Sequence, residues 1–414
     1  MDAMRWMHRV RLYPTATQEG RLRFMLDVTR QTYNALLDER RYAWTARRIS
    51  ITSNQQYAEI TALRAEDARF KAVYRECIDA VLHRLDLAFA AFFRRCKSGE
   101  TPGYPRFRAA SRWRQLEFPH GDRALKLLGE RQDRVRIPGV GTVRLRKGRP
   151  VPRFGRAFVV VRNDRWYAIF ECSREPQPLP KSGKVIGVDR GVHVLAATSD
   201  GELIRNKEPQ ARRSRITARL QRELEALTKR DENCRCLNYD DPARRKAVKR
   251  LARSKEREAN VRLDAHYKAA LRIVRSADAI GLEKLDLRAM TRSAKGTKKQ
   301  PGRNVRSKSG LNRAMLDAGF GILARLIRGK AEYAAREVIA VEARFSSQTC
   351  GRCLHVAARS RRRRRFACVS CGFTTHADVN AALEIRRRAQ SARTSGLSQG
   401  RTLLLPHDAA EGRT

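Results

Sequence analysis

The chain lacks the features of a membrane or secreted protein. It contains no run of eighteen apolar residues, and no apolar signal stretch follows Met1. Its nine cysteines are an odd number and show no disulfide framework. Cys234 and Cys236 lie in a polar loop, and we interpret them as free thiols rather than as a metal site. We therefore expect a cytoplasmic protein without a membrane segment.

Acidic residues are also scarce. The sequence has 43 Asp and Glu against 89 Lys and Arg, a formal net charge of +46 over 414 residues. Such a charge needs a polyanionic partner, and nucleic acid fits best. A hydrophobic content of 42% is enough for packed cores, so the composition excludes a disordered tail and favours two or three folded domains. The positive charge by itself predicts only salt-dependent binding to phosphates and no catalytic activity. The function must therefore be inferred from the sequence motifs.

The strongest motif is a double Cys-x-x-Cys near the C-terminus. Fourteen residues separate the two pairs, and Asp378 follows the last thiol by seven residues. Four thiolates at this spacing can hold one tetrahedral zinc ion. The predicted zinc ligands are Cys350, Cys353, Cys368 and Cys371.

The N-terminal half changes from one strand to helices and then to a β region. Alternation predicts a strand that ends at Pro14, and the capping-box residues Thr15 to Gln18 predict the start of a helix. A second helical stretch is predicted from Ser53 to Arg95, and short strands follow Phe107. For the apolar face of the second stretch, core packing is favoured over base stacking. Its members are Leu82, Leu85, Leu87, Phe89, Phe92 and Phe93.

Carboxylates at strand ends are the notable feature of the C-terminal half, which follows a proline-rich linker at residues 176–183. Asp189 lies between two apolar strands, where a buried charge needs a cation or a hydrogen-bond network. Metal coordination and a turn-forming aspartate both fit it. Glu283 ends another predicted strand, and a further strand runs from Glu337 to Glu342. Between these strands we predict two long basic helices suited to phosphate contacts and a mobile loop at residues 293–310.

In their order along the chain these motifs resemble the transposon-encoded TnpB family of RNA-guided DNA endonucleases. Asp189, Glu283 and Asp378 look like the three acidic motifs of a split RuvC-type nuclease, with the zinc ribbon between the last two. The resemblance covers nearly the whole chain. It includes the stretches Arg11–Pro14, Gly103–Phe107, Ser309–Asn312, Ser346–Cys350 and Asp378–Ala382.

The resemblance implies a chemistry and a set of partners. Asp189, Glu283 and Asp378 would be catalytic and would bind Mg²⁺ or Mn²⁺ for phosphodiester hydrolysis, and zinc would be structural. The expected partners are a guide RNA from the transposon end and double-stranded target DNA with a short adjacent motif. One monomer would bind one RNA in the bacterial cytoplasm, associated with the nucleoid.

The resemblance also implies an α+β multidomain fold. Residues 1–14 and 103–178 would form a β-barrel-like wedge domain, and residues 15–102 a helical recognition insertion. Residues 182–345 and 374–390 would form an RNase H-like (RuvC) α/β nuclease domain. Residues 346–373 would be the inserted zinc ribbon, and residues 391–414 a disordered tail.

Two departures from the family pattern leave alternatives open. His376 precedes Ala377 where the family often has a polar residue and then Arg, and it fits either a phosphate- or water-positioning role or a non-catalytic one. An unusually basic run, Arg359 to Arg365, precedes the second Cys pair and suits nucleic-acid binding. The alternative functions are a compact type V CRISPR effector, a nuclease-inactive guided repressor and a RuvC-fold nuclease without RNA.

Overall fold

The computed structural model describes residues 3–148, 150–296, 300 and 302–395. The chain divides into two compact units between Glu175 and Pro176, at the start of the predicted linker. The strands of the first unit are β1 (Met4–Tyr13), β2 (Gln115–Phe118), β3 (Lys126–Leu128), β4 (Arg134–Ile137), β5 (Gly141–Leu145), β6 (Phe154–Arg162) and β7 (Arg165–Arg174). Its helices are α1 (Ala16–Arg47), α2 (Ser53–Glu66), α3 (Ala68–Lys71), α4 (Arg75–Lys97) and α5 (Gly121–Ala124).

The first unit is an antiparallel sheet covered by helices. The strand order is β2-β6-β7-β1-β5-β4-β3, so the described sheet is open at β2 and β3 rather than closed into a barrel. Leu22 and Met25 of α1 and Ile78 of α4 are buried in one core with Phe118 and Phe170 of the sheet. The mixed helical and β character predicted for this half is confirmed.

Local signals explain where the first helices begin. The predicted capping box is present, because the Gln18 backbone N–H donates to the Thr15 hydroxyl and the Gln18 side chain accepts from the Thr15 N–H. The second helical stretch is broken into three helices, and Asp67 caps the short α3.

Core packing holds for only part of the predicted apolar face of α4. Leu82 and Leu85 are buried, but Leu87 and Phe93 are 57% and 55% exposed. Leu87 lies two residues after Leu85 and therefore faces nearly the opposite side of the helix. Phe93 instead packs against the rings of Phe89 and Phe92.

The second unit contains a mixed sheet and a small ribbon. The sheet consists of β8 (Val185–Asp189), β9 (Val194–Thr198), β10 (Leu203–Arg205), β11 (Ala279–Lys284) and β12 (Glu337–Glu342). The ribbon consists of β13 (Arg361–Arg362), β14 (Arg365–Ala367) and β15 (Thr374–His376). The helices are α6 (Pro209–Ala226), α7 (Pro242–Ser276), α8 (Leu287–Met290), α9 (Val305–Ala318), α10 (Phe320–Tyr333) and α11 (Ala377–Thr394).

Helices cover both faces of the larger sheet, whose order is β10-β9-β8-β11-β12 with β8, β11 and β12 parallel. Residues of α7 and α10 form one core with β8 and β11, and Ile385 and Ala389 of α11 form another with Ile339. This burial on both faces explains the nearly continuous apolar runs of the parallel strands. Over the described ranges no helix has both the length and the apolar character that spanning a bilayer requires.

Two segments that we expected to be irregular are partly helical. The predicted loop at residues 293–310 is wrong from Val305 onward, because α9 begins there and buries Met315 and Ala318 further along. The predicted tail is wrong for residues 391–394, because α11 continues and Ala392 packs against the core that contains Ile385. Residues 297–299, 301 and 396–414 of these two predictions lie outside the described residues.

Candidate active site and metal centre

The three predicted acids lie at one edge of the five-stranded sheet. Asp189 is the last residue of β8 and Glu283 lies near the end of β11. These two strands are parallel neighbours, and Val188 lies opposite Leu282. Asp189 and Glu283 each come one residue later, so they lie next to each other on the two strands. Asp378 lies in the first turn of α11, and its Oδ2 is 3.8 Å from the point that a Cβ on Gly191 would occupy. The fold therefore brings together residues that are 94 and 95 positions apart in the chain.

Two glycines allow α11 to approach the sheet closely. Gly187 of β8 and Gly281 of β11 are opposite each other in the parallel register. A Cβ on Gly187 would lie 2.0 Å from the Ala382 carbonyl oxygen, and one on Gly281 would lie 2.9 Å from the Ala389 Cβ. Only glycine permits this approach. The position of Asp378 thus depends on small residues in the two strands that carry the other acids.

The site disfavours negative charge unless a cation is present. Burial raises the pKa of Asp189 to about 7, and the charges of Glu283 and Asp378 act in the same direction. The guanidinium of Arg361 opposes this rise in the pKa. Three hard carboxylate ligands whose charges repel one another suit Mg²⁺ or Mn²⁺, so the residues present fit the predicted catalytic metals.

Polar partners fix one of the two strand-borne acids, Glu283. The Ser346 hydroxyl donates to Glu283 Oε1, and Arg190 Nη2 donates to the Glu283 carbonyl oxygen at 2.5 Å. Arg190 Nη1 also donates to the Phe320 carbonyl oxygen at 3.2 Å, which links β11 to the start of α10. The predicted site did not include Arg190 or Ser346. In the sequence, only their positions could have indicated these two residues. Arg190 follows Asp189 directly, and Ser346 begins a stretch that resembles the family.

Two basic side chains lie next to the third acid. Arg361, the first residue of β13, places Nη2 3.2 Å from Asp378 Oδ1. It belongs to the basic run for which the sequence predicted nucleic-acid binding. His376 caps α11, because its Nδ1 accepts from the Asp378 backbone N–H at 3.3 Å. This cap favours the non-catalytic alternative for His376.

The four predicted zinc ligands form one cluster. All four sulfur atoms lie within 4.8 Å of one another. Cys350 Sγ is 3.8 Å from Cys371 Sγ, and Cys353 Sγ is 3.5 Å from Cys368 Sγ. A tetrahedral ion with Zn–S bonds of about 2.3 Å separates its sulfurs by about 3.8 Å, whereas a disulfide bond is only about 2.05 Å long. The cluster therefore fits zinc and excludes disulfides between these pairs.

Each Cys-x-x-Cys pair forms the same turn. The Leu354 N–H donates to the Cys350 carbonyl oxygen at 3.0 Å, and the Gly372 N–H donates to the Cys368 carbonyl oxygen at 3.1 Å. Leu354 and Gly372 both have positive φ, 63° and 71°. These turns direct the thiols of each pair to one point, which is the geometry of a zinc knuckle.

One buried side chain connects the cysteine cluster to the helix of the third acid. Asn380, two residues after Asp378, accepts from the Gly351 N–H at 2.9 Å and donates to the Thr349 carbonyl oxygen at 2.7 Å. It is fully buried. The strand β15 also continues directly into α11. The cysteine turns and Asp378 are therefore parts of one continuous structure.

Three family models match the chain. The "Helix-turn-helix domain" of IS605 OrfB proteins matches residues 1–48, and the "Probable transposase" model of the same proteins matches residues 168–294. The "TNB domain" of Cas12f1-like proteins matches residues 320–385, which include the cysteine cluster and Asp378. The first match covers β1 and α1, a strand followed by a single long helix rather than a helix-turn-helix.

Two curated relatives align over most of the chain. "Putative RNA-guided DNA endonuclease InsQ" of Escherichia coli K12 is 31% identical over 307 residues, which cover 73% of this chain and 72% of the relative. "Putative RNA-guided DNA endonuclease" of Streptomyces pristinaespiralis is 26% identical over 408 residues, which cover 96% and 92%. The solved structure of the mini-RNA-guided endonuclease CRISPR-Cas_phi3 is 9% identical to this chain, with a TM-score of 0.49. The match covers 94% of this chain and 92% of the chain in that structure.

The predicted resemblance is confirmed by the identity and coverage of the first relative and by the IS605 OrfB models. The chain belongs to the transposon-encoded TnpB family.

Proposed function

We propose that this chain is an RNA-guided DNA endonuclease of a transposable element that cuts target DNA by metal-dependent phosphodiester hydrolysis. The observation that carries the proposal is the meeting of Asp189, Glu283 and Asp378 at one sheet edge in a TnpB-family chain. Both curated relatives are named as RNA-guided DNA endonucleases. The proposed partners are one guide RNA from the transposon end and double-stranded DNA with a short adjacent motif, bound by a monomer.

Each group in the site has a proposed role. The three carboxylates hold Mg²⁺ or Mn²⁺, which when bound stabilise charge on the attacking and leaving oxygens of the phosphodiester. Arg361 presents guanidinium N–H donors beside Asp378, where they can hold a phosphate oxygen of the substrate. Arg190 and Ser346 keep Glu283 in position. The four thiolates hold a structural Zn²⁺ that fixes the start of α11 through the ribbon.

The proposed division of labour follows the two units. Residues 1–14 and 103–178 would form the wedge domain, with a helical recognition insertion at residues 15–102. Residues 182–345 and 374–390 would form the RNase H-like (RuvC) nuclease, with a zinc-ribbon domain at residues 346–373 inserted between them. The net charge of +46 supports a partner with far more phosphate than a short duplex site presents.

Purification from cells that carry the native locus tests the proposal. The protein should contain one zinc ion and a discrete RNA, and the complex should cut matching double-stranded DNA only when Mg²⁺ is added. Asp189→Ala should abolish cutting and leave guided DNA binding unchanged, whereas Asp200→Ala, in the exposed turn before β10, should cut normally. Absence of a bound RNA would contradict the guided function. Guided binding without cutting by the unmodified protein would favour the repressor alternative.

A further inference from the structure

A groove in the first unit is separate from the acids and the cysteine cluster. One wall is the C-terminal half of α1 and the other is an extended segment, residues 102–107, that precedes β2. The groove has a volume of about 580 Å³, within the range of about 300–1,000 Å³ typical of small-molecule sites. Apart from Thr45, the side chains that line the two walls are apolar, aromatic or basic. The principal ones are Leu37, Arg41, Trp44, Tyr104, Arg106 and Phe107.

Hydrogen bonds and ring contacts fix the extended wall of the groove. The Asn34 side chain on α1 accepts from the Arg108 N–H at 2.7 Å and donates to the Arg108 carbonyl oxygen at 3.1 Å. The Tyr104 ring packs edge-on against Phe89 and Phe92, with centroid distances of 5.6 and 5.3 Å. A wall held in this way is preorganised, so binding a ligand costs little further ordering.

Three aromatic side chains of the groove are exposed, and one of them, Tyr104 at 41%, packs against other rings. Trp44 is 51% exposed and Phe107 is 48% exposed. Within the described residues neither ring stacks on another aromatic ring, although the guanidinium of Arg48 lies 5.7 Å from the Trp44 ring. Core packing therefore does not account for these rings. Their exposed surfaces are available to a planar ligand.

The charge of the lining identifies the class of ligand. Arg41 and Arg106 line the groove, and no carboxylate does so among the described residues. A second cavity in the same unit differs, because its lining mixes arginines with Glu19 and Asp164. Exposed aromatic rings between uncompensated arginines match a ligand that has both planar rings and phosphates.

We propose that this groove binds single-stranded DNA by stacking an unpaired base on Trp44 or Phe107 while Arg41 and Arg106 contact the neighbouring phosphates. A duplex cannot supply this ligand, because its bases are stacked on one another and their faces are covered. The choice of DNA rests on the proposed function, in which base pairing by the guide separates the strands of the target. Stacking contacts of this kind tolerate any base.

The test separates stacking from the general attraction of a basic protein for phosphate. The full-length protein is titrated with fluorescent oligo-dT of about ten nucleotides, in the range of single-strand site sizes. The titration is repeated at several salt concentrations, because salt weakens phosphate contacts and leaves stacking. Trp44→Ala and Phe107→Ala should weaken binding about 10-fold or more without changing the salt slope. Arg41→Gln should make the slope shallower.

Three controls make the result decisive. Tyr42→Ala removes a more exposed ring, 65%, that is next to the groove in sequence but not part of its lining, and it should bind like the unmodified protein. An oligonucleotide of the same length without bases should bind equally to Trp44→Ala, Phe107→Ala and the unmodified protein, because it offers no base to stack. Circular dichroism should give the same helix content for each. Equal loss in Tyr42→Ala, or no loss in Trp44→Ala and Phe107→Ala, would overturn the proposal.

Oligo-U of the same length separates DNA from RNA as the occupant. Tighter binding of oligo-U with the same dependence on Trp44 would overturn the assignment to DNA. Because the titration uses neither a guide nor cutting, it can fail while the endonuclease assay succeeds, and the reverse also holds.

Discussion

Asp189 shows how the surroundings of one residue indicate a cation site. It is partly buried at the end of β8, and burial and two further carboxylates raise its pKa to about 7. For an aspartate that only formed a turn, two neighbouring carboxylates would lower stability by charge repulsion and contribute no stabilising contact. At the residue scale, the repulsion among three carboxylates favours metal coordination over the turn alternative.

The same repulsion predicts how stability depends on pH. Between the unfolded pKa of about 3.9 and the folded value of about 7, the folded chain binds more protons, so its free energy of unfolding falls as the pH rises. Asp189→Asn removes the ionisable group, so the free energy of unfolding no longer falls with pH through this residue. In buffer without divalent cations, its stabilising effect should be larger at pH 8 than at pH 5.5 by about 1–2 kcal/mol.

Urea unfolding without a chelator measures this difference and leaves zinc in place. Asp200→Asn is the matched control, and we expect its effect to be equal at the two pH values. Mg²⁺ should abolish the advantage of Asp189→Asn, because the cation then compensates the charges. The same effect of Asp189→Asn at both pH values would contradict the raised pKa.

The packing of α11 on β8 and β11 decides the geometry at the scale of elements. Gly187→Ala places a methyl group where the Ala382 carbonyl oxygen lies, so the helix must shift or the sheet must distort. We expect a loss of about 3 kcal/mol in the free energy of unfolding, and cutting should be lost as Asp378 moves. Thermal unfolding and the cleavage assay measure the two effects.

Gly310→Ala is the control for that substitution. Gly310 lies in α9, where an added Cβ would meet no atom within 4 Å. Alanine favours the helix there, so stability should be unchanged or higher by up to about 1 kcal/mol. If Gly187→Ala were as stable as Gly310→Ala, the close approach of α11 would be wrong.

The link between the cysteine turns and α11 predicts a second effect at this scale. Asn380→Ala leaves the Gly351 N–H and the Thr349 carbonyl oxygen buried without partners, at a cost of about 1–3 kcal/mol. Zinc should therefore leave faster in the presence of a chelator, by about 10-fold. A colorimetric chelator assay measures the rate of zinc release.

Two variants complete the zinc measurement. Gln390→Ala, on an exposed position of α11, should release zinc at the rate of the unmodified protein. Cys368→Ser should lower the zinc content, and an unchanged stoichiometry would contradict the four-thiolate site. Slow release from Asn380→Ala would show that the turns hold the metal without this link.

The charge of the whole molecule predicts how it binds RNA. With a net charge of +46, guide binding should depend on displacing counterions from many phosphates. If six to ten phosphates are contacted, affinity should fall about 10³- to 10⁵-fold between 50 and 200 mM salt. Filter binding across this range measures the slope. A flat dependence would contradict binding through phosphates.

Sequence patterns predicted the elements of this molecule because they depend on local physics. The Thr15 capping box, the apolar strand before Asp189 and the spacing of the cysteines each act over a few residues. Local patterns failed at Val305, where α9 begins, and at Ser391, through which α11 continues. Both stretches are polar, and each helix is held by a few side chains buried elsewhere along it. They also failed at Phe93, whose neighbours are other rings rather than the core.

The sequence by itself determined the charge and the spacing of the four cysteines predicted to bind zinc, because both depend only on residue type and position. The three acids were predicted from the resemblance to the TnpB family. Only the tertiary structure decided that Asp189, Glu283 and Asp378 meet, because Gly187 and Gly281 leave room for α11 across parallel strands. It also decided that Arg190, Ser346 and Arg361 belong to the site. Their contacts join segments far apart in the chain, and no local pattern records which distant groups will lie together.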